Sequence, residues 1–64
     1  MKCKVILLDI THNQREPLSV GIVEGEWSEI RRFAEKEVEK NGYSTWTIKE
    51  SKARKNIIKL YNYN

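Results

Sequence analysis

Apolar residues run almost unbroken from Cys3 to Ile10, interrupted only by Lys4 and Asp9. Hydrophobic side chains at both odd and even positions are the pattern of a strand with neighbours on each side, so Lys2–Ile10 is expected to be the central strand of a sheet. Thr11–Pro17 is polar and holds the only proline, which predicts a loop. Alternation resumes over Leu18–Glu24, with Leu18, Val20 and Ile22 on one side and Ser19, Gly21 and Val23 on the other. The two segments should pair as an antiparallel hairpin with a long loop.

The period then changes to that of a helix. Trp27, Ile30, Ala34 and Val38 follow the i, i+3, i+7, i+11 spacing that stacks side chains on one helical face, predicting a helix over Glu26–Asn41. Phe33 falls on the flank of this stripe, beside Glu37, whose long stem suits a position at the edge of the core. Glu26 and Glu29 lie near the positive helix N-terminus and Lys40 near the negative C-terminus, as the macrodipole favours. Asn41-Gly42 offers a left-handed stop, from which Tyr43 can fold back on Val38. Ser44–Glu50 is rich in β-branched and aromatic residues and reads as a third strand, and Asn56–Tyr63 as a fourth. Ser51–Lys55 between them is a basic turn without glycine, which predicts a loop longer than two residues.

The expected fold class is therefore α+β: β-β-α-β-β, a four-stranded antiparallel sheet of order 2-1-3-4 with the helix across one face. On this reading the helix covers Ile6, Leu8 and Ile10 of the first strand and Leu18, Val20 and Ile22 of the second. It also covers Trp46 and Ile48 of the third strand and Ile58 and Leu60 of the fourth. Cys3, Val5, Leu7, Gly21, Val23, Thr45, Thr47, Lys49, Lys59 and Tyr61 would line the open face.

Length sharpens the consequence of an open face. Sixty-four residues make one domain, spanning 1–64, and a chain this short buries only ~60% of its unfolded surface. Cys3 is the only cysteine and His12 the only histidine, so an internal disulfide and a Cys/His zinc site are both excluded. Self-association is the remaining conventional support for so small a core. Exposed Val5, Leu7 and Val23, with Gly21 permitting close backbone approach, predict a homodimer interface on the open sheet face, a strand edge being the other route.

Net charge is +3, unevenly spread. Residues 1–42 carry seven Lys/Arg against eight Asp/Glu, whereas residues 43–64 carry Lys49, Lys52, Arg54, Lys55 and Lys59 against Glu50 alone. With Tyr61, and Tyr63 nearby, these cations mark the last two strands as the candidate binding element. They suit an acidic protein surface or an anionic, nucleotide-like ligand. Phosphate attraction and base stacking on tyrosine make nucleic acid the alternative partner, although no helix-turn-helix, zinc-finger or RNA-recognition signature is present.

Catalysis has little to build on. Cys3, Asp9 and His12 are the one set that could be assembled, and Cys3 and Asp9 are about 20 Å apart along a strand at ~3.3 Å per residue. The three glycines match no phosphate-loop spacing. No catalytic residue, metal ligand or cofactor site is assigned. The run Val5–Leu8 ends at Asp9, short of the ~7–15 residues of a signal-peptide core, and no segment approaches the ~20 of a membrane span. A lone thiol fits a reducing cytoplasm. Abundant Lys, Ile, Asn and Tyr match an AT-rich bacterial or phage genome. The expectation is a small, non-catalytic binding protein, an inhibitor or adaptor that occupies its partner.

Overall fold

The computed structural model describes residues 1–61, in the order β1 (Lys2–Leu8), β2 (Leu18–Glu24), α1 (Trp27–Asn41), β3 (Thr45–Glu50) and β4 (Ile57–Lys59). The α+β class and the order of the five elements are as expected, but β1 stops at Leu8 rather than Ile10, and of the expected fourth strand Asn56–Tyr63 only Ile57–Lys59 is strand, its last two residues, Tyr63 included, lying outside the described residues. β1 is central and antiparallel to both β2 and β3. The sheet order corrects the expectation: it is β3-β1-β2-β4, with β4 parallel to β2. No β3–β4 hairpin forms.

Residues 51–56 instead carry the chain from one sheet edge to the other. The Ser51 amide donates to the Lys2 carbonyl at 3.2 Å, and the Lys2 ammonium donates to the Ala53 carbonyl. Lys2 points away from the helix, so this connector crosses on the open side. The two crossovers, β2–α1–β3 and β3–β4, thus travel in opposite directions on opposite faces and share one hand, as parallel connections require. A basic turn without glycine is long enough to cross the sheet, which spacing alone does not distinguish from a hairpin loop.

The covered face is also the reverse of that expected for β1. Cys3, Val5 and Leu7 are completely buried beneath α1, with Val23, Ile30, Ala34, Phe33 and Leu60. Ile6 and Leu8 are half-buried on the opposite face, while Ile10 lies beyond the strand and is exposed. Lys2 and Lys4 share the parity of Ile6 and Leu8. Turning that side to the helix would drive two ammonium groups towards an apolar layer, a larger cost than leaving two aliphatic chains half wet. In β2 the alternation breaks at a bulge: Val5 pairs with Gly21 but Ile6 pairs with Ser19, leaving Val20 as the extra residue. Gly21 takes φ +129°, a region closed to most side chains. The bulge turns Ile22 outward while both Val20 and Val23 serve the core.

Within α1, Ile30, Phe33 and Ala34 are buried and Val38 packs beside them. Phe33 is core rather than flank. Trp27 is half-exposed, its ring tilted against Trp46 at 5.9 Å between centroids. The helix begins with Glu29 Oε1 accepting from the Glu26 amide at 2.8 Å. It ends as expected: Gly42 is left-handed, Tyr43 N–H donates to Val38 O at 3.0 Å and Gly42 N–H to Glu39 O at 3.3 Å.

The β1–β2 loop is fastened to this helix end. The Asp9 carboxylate accepts from the amide and hydroxyl of Thr11 and from Arg15 Nε at 3.1 Å. The Arg15 guanidinium donates onward to the carbonyls of Asn41 and Gly42 and lies 4.1 Å from the Tyr43 ring centroid. Tyr43 Oη closes the circuit on the Glu16 carbonyl at 2.9 Å. Arg15 thus satisfies helix-terminal carbonyls that would otherwise lack donors.

Candidate binding face

With α1 on one side, the other side of the sheet carries Lys2, Lys4, Ile6 and Leu8 from β1 and Thr45, Thr47 and Lys49 from β3. Ser19, Ile22 and Glu24 from β2 and Ile57 and Lys59 from β4 complete it. Thr45, Thr47, Lys49 and Lys59 are where the sequence placed them. Lys2 and Lys4 were missed. Their spacing of two was the available signal, since two lysines of one parity at a strand start mark the wet face.

Chemistry divides this face lengthwise. Towards the start of β1, Lys4 and Lys49 are directly opposed, and Glu24 is flanked by Lys2 and Lys59. The connector bearing Lys52, Arg54 and Lys55 crosses at this same end. Towards the end of β1 the surface is aliphatic and hydroxylic, with Ile6, Leu8, Thr45, Thr47 and Ser19, while Ile22 and Ile57 continue the Lys49–Lys4 row across β2 and β4. Opposed lysine Cβ atoms lie about 4.5–5.5 Å apart, and like charges so placed destabilise a sheet. Lys59 is relieved by its ion pair with Glu24 at 3.3 Å, the lysine exposed and the glutamate partly buried. Tyr61 follows β4 and is exposed.

Seven of the twelve Lys/Arg residues belong to this face and its connector, against one of the nine carboxylates. The helix side and loops hold the other five cations with eight carboxylates. The molecule is therefore electrically two-sided, about +6 on the open sheet and −3 elsewhere. Of the expected binding residues, Lys49 and Lys59 sit on opposite edge strands, and Lys52, Arg54 and Lys55 lie on the connector between them. They share one side of the sheet but not a hairpin. The residues expected at a dimer interface are placed otherwise: Val5, Leu7 and Val23 are wholly buried within one chain, and Gly21 faces Ile58 at the sheet edge. Val5, Leu7 and Val23 are therefore not available to a second copy.

Other chemistry is sparse. Cys3 is buried, which pushes its thiol up and disfavours the nucleophilic thiolate. Asp9 is held well below the usual carboxylate range, chiefly by the Thr11 hydroxyl and amide and then by Arg15. His12 is exposed in the loop. Among the described residues no three His, Cys, Asp or Glu side chains gather as metal ligands, and no helix is long and apolar enough to cross a membrane. A shallow depression on the outer side of α1 is lined by Lys36, Glu37, Glu39 and Lys40, without the apolar walls of a small-molecule site. No family model matches the chain, and no curated protein or solved structure matches it.

Proposed function

We propose that this chain is a non-catalytic binding protein of the cytoplasm, working as a homodimer, which docks an acidic protein surface on the open face of its sheet. The observation that carries this reading is the pairing of a cationic end with an aliphatic end on one face, backed by a molecule of opposite charge. Protein interfaces combine an apolar centre with a polar rim, and charge complementarity steers the encounter. An acidic partner also relieves the repulsion between Lys4 and Lys49. Such a protein acts by occupying its partner, in the manner of an inhibitor or adaptor.

Nucleic acid is the second reading, favoured by the same seven cations and by exposed Tyr61. The open face itself carries Ile6, Leu8, Ile22 and Ile57 where base stacking would use aromatic rings. Affinity capture with the wild type, the double variant Lys4→Glu/Lys49→Glu and the single variant Ile6→Asp decides the matter. A specific partner retained by the wild type and lost by both variants supports the protein reading. In parallel, labelled single-stranded DNA and RNA are titrated at two ionic strengths. Tight binding with a steep log–log salt slope would transfer the assignment to nucleic acid. Capture indifferent to both variants would remove the face from consideration.

A further inference from the structure

The outer edge of β3 is unpaired among the described residues, and its hydrogen-bond phase dictates how a second copy can add to it. Ser51 N–H bonds to the Lys2 carbonyl, and Cys3 faces Glu50 in the register. Odd-numbered residues of β3 therefore direct their main-chain groups at β1, and Trp46, Ile48 and Glu50 direct theirs outward. We infer that two copies pair antiparallel along β3 about a two-fold axis at Thr47, with Trp46 bonded to Ile48 of the partner and the sheet continuing through eight strands. This deepens the homodimer part of the proposed function and rests on it. It is independent of what the open face binds.

Three observations select this partner and register. The pairing is self-complementary: Thr47 meets its own copy, and Trp46 meets Ile48, joining threonine with threonine and an aromatic with a β-branched residue. An axis at Lys49 or Glu50 would instead oppose like charges, and one at Ile48 would set Trp46 against Glu50. Second, the helix side of this edge is apolar and incompletely covered, since Trp27 is half-exposed over Trp46. A perpendicular two-fold axis brings both helices to the same side, and the copy's edge then covers these rings. Third, β3 has none of the usual guards against edge pairing along Thr45–Ile48: no proline, bulge or charge interrupts it. The opposite edge, β4, is three residues long and ends in Lys59. The assembly also joins two open faces into one, doubling the cationic surface offered to a partner.

The test uses Thr47, which is exposed and faces away from the core. Wild type should sediment at twice the chain mass of 7.6 kDa at high micromolar concentration. On dilution its tryptophan emission should shift red, because both tryptophans lie at the seam. Thr47→Lys and Thr47→Glu each place like charges across the axis and should weaken association at least tenfold while circular dichroism is unchanged. Mixed in equal amounts, the two variants should regain the doubled mass, which a merely misfolded variant would not do. A wild type that stays monomeric, a Thr47→Lys variant that still dimerises, or a mixture that fails to associate each overturns the pairing. If such a monomer still loses its captured partner on charge reversal at Lys4 and Lys49, the binding face stands without it.

Discussion

Replacing Leu7 and Leu8 by alanine, one at a time, separates the two faces of the sheet at adjacent residues. Leu7 is completely buried between β1 and α1, opposite Trp46. Truncating it removes buried apolar surface and leaves a cavity that the sheet cannot close, at a cost of ~2–5 kcal/mol. Leu8 is half-buried on the solvent side, where no enclosed cavity forms, so its truncation should cost about 1 kcal/mol or less. A domain of this length has roughly 3–10 kcal/mol of stability in all. With a urea m-value of about 1 kcal/mol/M for so small a chain, Leu7→Ala should lower the midpoint by ~2–5 M and Leu8→Ala by ~1 M at most. Melts followed by circular dichroism at one fixed protein concentration read both numbers, since association would make stability concentration-dependent. An equal or larger effect at Leu8 would mean that the helix covers the other side. The lysine-bearing face, and every functional statement made for it, would then fall.

Asp9 supplies a pH signature. Its carboxyl is depressed, so the stabilisation is complete above the ordinary value of about 3.9 and is lost progressively as pH falls from there towards the lower folded-state value. Urea midpoints should therefore decline from about pH 5 downward. Asp9→Asn should be less stable at neutral pH and flatter in acid; a parallel decline in both proteins would exclude Asp9 as the source. Gly21→Ala meets both a left-handed φ of +129° and Ile58 Cδ1 at 3.3 Å. It should destabilise by about 1–3 kcal/mol in thermal melts, and an unchanged melting temperature would argue against the bulge. Cys3 should react with a thiol reagent far more slowly in native protein than in urea, and equal rates would contradict its burial.

The sequence by itself determined where each element lies and what ends it. The 3.6-residue period from Trp27 to Val38, the left-handed Gly42 with Tyr43 behind it, and the two-sided hydrophobicity of β1 are local signals. Local backbone and side-chain preferences suffice to read them. They also implied the α+β class and the central position of β1. Which face of β1 turns inward was written in the parity of Lys2 and Lys4. It was masked by Ile6, Leu8 and Ile10, whose greater bulk suggests burial when charge is not weighed against it.

Only the tertiary structure decided the rest. The bulge at Val20–Gly21 breaks the period of two, so alternation in β2 could not be followed through it. The placement of β4 beside β2 depends on a connector whose length suits either a hairpin or a crossing. Closing it across the sheet becomes favourable only once β1 has presented Lys2 to Ala53 and β2 its free edge to Ile57. That crossing adds Lys52, Arg54 and Lys55, and Lys59 beyond them, to the side where strand parity already sets Lys2, Lys4 and Lys49. Charges distant in sequence share a surface because the backbone had to satisfy its hydrogen bonds there.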